Sequence, residues 1–390
     1  MDIHSILEQI PKEMARRESK KVELQVLFGK HKEQLVIYGH GNLGVNLEQG
    51  LRHAGWRIQY FLDANKPTDL IKKNINLKDA SRYIDRDALI IVALYDIVSS
   101  YSPIRSAIQE AGYDNIISVL DLRVWPELFQ AGHLHNTLSW DIEHLPEEQL
   151  SNAYSILADA SSKKVFMELL HFMTDNPYGK MTLCPADEQY IPRGSVYLPS
   201  QEEHIVDCGA FDGDTMRSFL SKIGTWRSYT AVDADPYNIE KVRDSIKRDL
   251  PANLQKVTRA VHVAVSNERG MIAFQADNRT SSHVVENSLR EGQTISVPVA
   301  PLDELIKEPV TLLKMDVEGF ELRALQGAKG LIQANKPLLA ICGYHRQEDL
   351  WEIPLYMKSL LPDHQIYLRN YLGIIEYVFY AIPKDRVIPK

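Results

Sequence analysis

Twice in this chain an apolar run breaks into a glycine-bearing turn, passes into an amphipathic helix and returns as a second apolar run that stops on an acid. The first copy is EQLVIYGHGNLGVNLEQGLRHAG with RIQYFLDAN; the second is HIVDCGAF, TMRSFLSKIG and SYTAVDADP. A strand that turns sharply into a helix buries that helix only by laying it back across a sheet, beside a parallel neighbour. Each copy therefore predicts a βαβ unit. More strands and helices follow both copies, and 390 residues are too many for one such sheet. The expected fold is α/β, with two doubly wound Rossmann-like domains.

The boundaries follow from the turns and from composition. A helical leader is expected over 1–29, a Rossmann-like accessory domain over 30–135, a helical linker and loop over 136–200, and a second α/β domain over 201–390. In the accessory domain ALIIVALYD and NIISVLDL read as strands around the helix YSPIRSAIQEAG. The linker reads as two helices, with Pro146 in the first turn of one and Ser161 or Ser162 capping the other. In the second domain AVHVAVSN reads as one strand and GMIAFQAD as an extra one. TLLKMDVEG and KPLLAICGYH are later strands, and QIYLRNY with IEYVFYAIP forms an antiparallel terminal hairpin.

Composition narrows the function classes. A net charge of -8 without a dense Lys/Arg run speaks against a nucleic-acid partner. The leader lacks the apolar core of a secretory signal, and runs such as ALIIVALY are too short to span a bilayer, so no membrane insertion is expected. Cys184, Cys208 and Cys342 are scattered without metal-knuckle spacing and read as free thiols of a cytoplasmic protein.

The two turns differ in charge. Gly39, Gly41 and Gly44, with Asp63 after the next strand, have the spacing of a dinucleotide fingerprint. The second turn is loaded with acids: Asp207, Asp212 and Asp214 surround Gly209 and Gly213, and Asp233 and Asp235 follow the next strand. A pyrophosphate would be repelled there. A ligand with a cation and no phosphate fits better, and S-adenosylmethionine has a sulfonium, an ammonium, a carboxylate and a ribose. Asp233 is placed to accept the ribose hydroxyl protons.

Residues from about 201 to 383 resemble the FkbM family of S-adenosylmethionine-dependent methyltransferases, through VDCGAFDGDT, AVDADP, AVSNERG, VPVAPLDEL and above all LLKMDVEGFELRALQGA. The resemblance implies a class I methyltransferase fold and O-methyl transfer to a hydroxyl of a sugar, glycan or related small polar acceptor. It places the cofactor at Asp207, Cys208, Gly209, Ala210, Asp212, Gly213, Asp233 and Ala234, with the adenine near His262. Among residues that would carry the chemistry, Asp316 suits the sulfonium or acceptor side and Glu318 suits positioning or structure. His345, which titrates near neutrality, is the expected general base. Ser281 and Ser282 lie in a polar loop that would close over the acceptor. Asp316, Glu318 and His345 are also possible metal ligands, but no compact metal motif accompanies them, and no metal is expected.

The first domain is read as an accessory module that positions the acceptor, forms a homo-oligomer or senses a nucleotide. Two other readings stay open from sequence: an NAD(P)- or nucleotide-sugar-binding enzyme run from Gly39, Gly41 and Gly44, or a non-catalytic cofactor-binding scaffold.

Overall fold

The computed structural model describes residues 3–94, 97–129, 140–174, 179–192, 196–197, 199–275, 283–284, 294–373 and 376–388. They fall into two compact units, Met1–Glu147 with Met167–Met181, and Glu148–Phe166 with Thr182–Lys390. Among the described residues no helix is long and apolar enough to cross a membrane.

The first unit carries five parallel strands: β1 (Leu35–Tyr38), β2 (Ile58–Asp63), β3 (Asn74–Asn76), β4 (Leu89–Val92) and β5 (Ile116–Ser118), in the order β3-β2-β1-β4-β5. The central strands β1 and β4 are buried throughout, as their unbroken apolar sequences LVIY and LIIV require in a sheet covered on both faces. The leader is not a loose tail. Its helix Ile10–Lys30 buries Leu24 and Phe28, and Phe28 packs edge-on against Trp56 and Trp125.

The second unit carries a seven-stranded sheet. Its members are β6 (His204–Cys208), β7 (Ser228–Asp233), β8 (Thr258–His262), β13 (Leu312–Met315), β14 (Leu338–Cys342), β15 (Gln365–Asn370) and β16 (Tyr377–Ile382). Their order is β15-β16-β14-β13-β6-β7-β8. From β6 the chain winds outward to β8, then returns to the other side of β6 at β13. Strand order reverses between β6 and β13, and the crevice beyond the carboxyl ends of those strands is where such sheets hold ligands. The expected hairpin is present, with β16 inserted antiparallel between β14 and β15.

Two local expectations change. AVHVAVSN is not one strand: the chain leaves the large sheet after His262, and β9 (Ala264–Val265) joins a separate sheet with β10 (Gly270–Gln275), β11 (His283–Val284) and β12 (Thr294–Ala300). The break follows from competing partners, since Val263 N donates to Asp233 O while Ala264 and Val265 pair with Val299 and Ala300. The linker helices form at Glu147–Ser155 and Ala160–Thr174, but neither serine caps the second. Asp159 does so, its Oδ1 accepting Ser162 N at 2.8 Å.

Candidate functional site

The glycine turn of the first unit closes on itself. Gly39 leaves β1 at φ +108°, and a Cβ there would lie 2.4 Å from the Ala93 carbonyl oxygen. A Cβ on Gly44 would lie 1.9 Å from the Gly39 oxygen, so close backbone packing demands both glycines. Gly41 has open space around it and is the N-cap of the helix Asn42–His53. Asp63 Oδ1 accepts the N–H groups of Asn65 (2.8 Å) and Lys66 (3.1 Å), which folds the chain after β2. His40 stacks on Phe61 and bonds Asn74. Each residue of the fingerprint thus has a local structural role.

The turn after β6 is built differently. A Cβ on Gly209, which sits at φ +79°, would lie 1.8 Å from the Asp316 carbonyl oxygen. Only glycine lets this turn meet the end of β13. Gly209 and Ala210 both donate to Val232 O, and Gly213 at φ +84° opens the helix Asp214–Ile223. Asp212 turns aside to an ion pair with Arg217 at 2.7 Å.

Asp207 lies under this turn, fully buried. It accepts the Tyr229 hydroxyl at 2.6 Å and pairs with Lys314 Nζ at 3.0 Å, its cross-strand neighbour on β13. Burial would discharge Lys314, but Asp207 and Asp316 raise its pKa and keep it an ammonium. That ammonium also donates to Gly209 O at 2.7 Å, so the turn is anchored from below.

Above the turn is a cavity of about 320 Å³, within the roughly 300–1,000 Å³ typical of small-molecule sites. Its lining is of two kinds. Val232, Val263, Val265, Ile272 and Val299 make an apolar slot. Among the described residues, Asp214, Asp233, Asp316, Glu318 and Glu376 supply five carboxylates to the lining, against a single basic residue, Lys314, which Asp207 already pairs. Asp233 receives Phe211 N on Oδ2 and Asp235 N on Oδ1, both at 2.8 Å. Burial lifts its carboxyl to about 6, against the downward pull of those two N–H groups, so it is charged at neutral pH.

The motif K-x-D-V-E-G-x-E organises the far end of the cavity. Asp316 accepts the hydroxyls of Tyr190 at 2.9 Å and Tyr344 at 3.1 Å. Burial would raise its pKa, but Lys314, His345 and the two hydroxyls overcome this and hold it below the usual carboxylate range. The strand does not persist to Glu318, which stands at φ +57° and is followed by Gly319 at φ +94°. Glu321, not Glu318, ties this bend, accepting Val317 N at 2.7 Å and Gly319 N at 3.0 Å.

His345 meets three acids. Its Nδ1 lies 2.8 Å from Glu321 Oε1, and its Nε2 lies 3.5 Å from both Asp316 Oδ1 and Glu318 Oε2. Burial alone would lower its pKa; Glu321, Glu318 and Asp316 raise it to about 10. An imidazole held protonated in this way has no lone pair for the acceptor's proton, which weighs against the general-base role expected of His345. Asp316, Glu321 and His345 have the chemistry of metal ligands, with donor atoms within 4.8 Å of one another. Both Glu321 oxygens are already taken by Val317 N, Gly319 N and His345 Nδ1, which accounts for the cluster as an ion-paired imidazolium.

Of the residues expected from sequence, Gly209, Asp233, Ala234, Asp316 and Glu318 line the cavity. Asp207, Cys208, Ala210, Asp212, Gly213 and His262 support it from outside the lining; His262 bonds Ala234 O at 2.9 Å through Nε2. Ser281 and Ser282 lie outside the described residues. Asp214, read from sequence as one of the turn acids, also lines the cavity; sequence reading missed Tyr190, Lys314, Tyr344 and Glu376. A signal existed for Lys314, since a lysine inside the apolar run LLKM needs a buried acid beside it.

A family model described as the Methyltransferase FkbM domain matches residues 207–370. Among solved structures, a methyltransferase FkbM from Methylobacillus flagellatus KT is 19% identical at TM-score 0.69, covering 96% of this chain and 100% of its own. That likeness shows the fold, and the fold is the α/β architecture expected. Fibrillarin from Aeropyrum pernix, with natively bound S-adenosyl-L-methionine, is 13% identical at TM-score 0.31, over 50% of this chain and 76% of its own. A precorrin-6y C5,15-methyltransferase from Geobacter metallireducens GS-15 is 8% identical at TM-score 0.30, over 48% and 82%. No curated protein matches the chain in sequence.

Proposed function

We propose that this chain, whose residues 207–370 match the FkbM methyltransferase domain, is an S-adenosylmethionine-dependent methyltransferase that methylates a hydroxyl of an uncharged polyol such as a sugar or glycan. The observation that carries this reading is the charge of the cavity among the described residues, five carboxylates with the one lysine already paired. A phosphate-bearing acceptor would meet like charges there, whereas a neutral polyol offers O–H donors to them.

The residues present fit the cofactor. Gly209 keeps the turn open beside Asp316, and the apolar slot of Val263, Val265 and Ile272 suits a flat adenine ring. Asp233 is charged; its Oδ1 takes Asp235 N and, at 3.4 Å, the Asn238 amide, while Oδ2 takes only Phe211 N and keeps a lone pair that would accept a ribose hydroxyl. The bound cofactor supplies an electrophilic methyl group on a positively charged sulfur. Asp316 carries its charge at the far end of the cavity, fixed by two phenols that burial keeps protonated. Charge fixed in advance where a cation must sit stabilises it without reorganisation. The same residues hold the acceptor oxygen in place, and alignment is the larger part of catalysis when the leaving group is already good. In this reading the first unit, whose glycine turn is internally satisfied, is an accessory module.

The test is methyl transfer from labelled S-adenosylmethionine to a panel of methyl glycosides, sugar phosphates and RNA. Label is expected on the glycosides. Label only on sugar phosphates or RNA would overturn the acceptor class.

A further inference from the structure

With His345 held as an imidazolium, the methyl transfer proposed above lacks a group to take the acceptor's proton. We propose that this group is Glu376, which lies on the cavity wall with Asp316 and Tyr344 and reaches it from the position just before β16, the antiparallel neighbour of β14. The inference rests on the methyltransferase reading and adds a catalytic residue to it.

The placement follows from register. Pairing of β14 with β16 runs to Cys342 opposite Val378, and Gly343 N donates to Tyr377 O at 3.1 Å. Continuing one step brings Tyr344 opposite Glu376, and Tyr344 holds Asp316 through its hydroxyl. The turn before β16 is closed by Tyr371 N donating to Glu376 O at 2.8 Å, which fixes the backbone from which the side chain reaches the cavity.

The other carboxylates of the cavity are committed. Asp233 holds two backbone N–H groups, Asp214 binds Thr215 N at 2.7 Å, and Asp316 accepts two phenols. Glu318 faces the His345 imidazolium. Among the described residues none donates a hydrogen bond to the Glu376 carboxyl. It is half-buried, and the groups that face it are Asp316 after β13, Asp214 on the helix after β6 and Tyr344 after β14. Burial first, then the charges of Asp316 and Asp214, lift its carboxyl to about 7, where a base serves best at neutral pH.

The step balances. The proton passes from the acceptor oxygen to a Glu376 oxygen while the acceptor oxygen forms its bond to the methyl carbon. The carbon–sulfur pair stays on sulfur, giving a neutral thioether, so the carboxylate's negative charge and the sulfonium's positive charge vanish together.

A sulfonium beside Glu376 must expel the proton that the carboxyl holds near neutral pH. Calorimetric titration of the full chain at about pH 6.5, in two buffers of different ionisation enthalpy, measures that proton. Wild type should release on the order of half a proton with S-adenosylmethionine and far less with S-adenosylhomocysteine, which lacks the charge. E376Q should bind both ligands within about threefold of wild type and lose the difference in proton release. On a glycoside that wild type methylates, E376Q should turn over roughly a hundredfold more slowly, with E376D recovering part of the rate. An unchanged proton release in E376Q, or none in wild type, overturns the role of Glu376 alone. Failure of either adenosyl ligand to bind wild type instead overturns the cofactor reading beneath it.

Discussion

The two glycine turns start from similar sequences and end as different objects. In the first unit Gly39 and Gly44 are forced by backbone contacts, and Asp63 spends its carboxylate on the amides of its own turn. In the second, Gly209 is forced by the approach of β13, and that approach brings Asp316 to the same edge. The acid after the second strand, Asp233, then faces a cavity in company with four other carboxylates. A strand-turn-helix signal therefore reports how a backbone packs. Function enters with what the neighbouring strand delivers to that edge.

The sharpest way to break this comparison is at the glycines. Gly209→Ala should cost more than about 4 kcal/mol and abolish cofactor binding, because its Cβ meets a backbone oxygen at 1.8 Å. Gly41→Ala, in open space at a helix N-cap, should cost about 1 kcal/mol or less. Urea denaturation of both variants checks the contrast; equal costs would show that the two turns are alike after all.

Next in size is Lys314→Met. It leaves the Asp207 carboxyl fully buried without its cation, a change of about 3–4 kcal/mol in the denaturation free energy. A stability within about 1 kcal/mol of wild type would mean that the pair does not anchor the turn.

Smaller again is the effect of the strand-end acids on binding. Asp233→Asn should weaken S-adenosylhomocysteine by about 1.5–3 kcal/mol, through loss of charge-assisted bonds to the ribose. Asp63→Asn should leave that affinity unchanged, since Asp63 serves its own turn. Calorimetry on the pair decides the matter, and equal weakening would erase the functional difference between the turns.

Much of the scaffold was legible because it rests on local rules. Apolar runs of strand length, glycine turns and alternation with helices fix the parallel strands of both sheets, and the acids at strand ends mark the edge where the cavity opens. K-x-D-V-E-G-x-E was visible as a pattern, but the roles within it were not. Glu321 ties the bend that follows β13, and Lys314 answers to Asp207 across a register that no linear spacing displays. Asp207 reads as a turn acid until its strand partner turns it inward. Tyr190 and Glu376 reach the cavity from a Pro/Gly-rich loop and from the last strand, so only tertiary packing reveals them. The surroundings of His345 were hidden for a related reason. Its ordinary pKa suggested a base, but three acids gathered from separate positions of the chain hold its proton in place.

Calorimetric titration of the purified chain with S-adenosylmethionine and, separately, with NAD tests the central claim that the carboxylate-rich crevice above Gly209 selects a cationic adenosyl ligand. The account predicts saturable heat with S-adenosylmethionine that Gly209→Ala abolishes, and none with NAD at that crevice. Saturable NAD binding that Gly209→Ala removes, with no heat from the sulfonium compound, would contradict it.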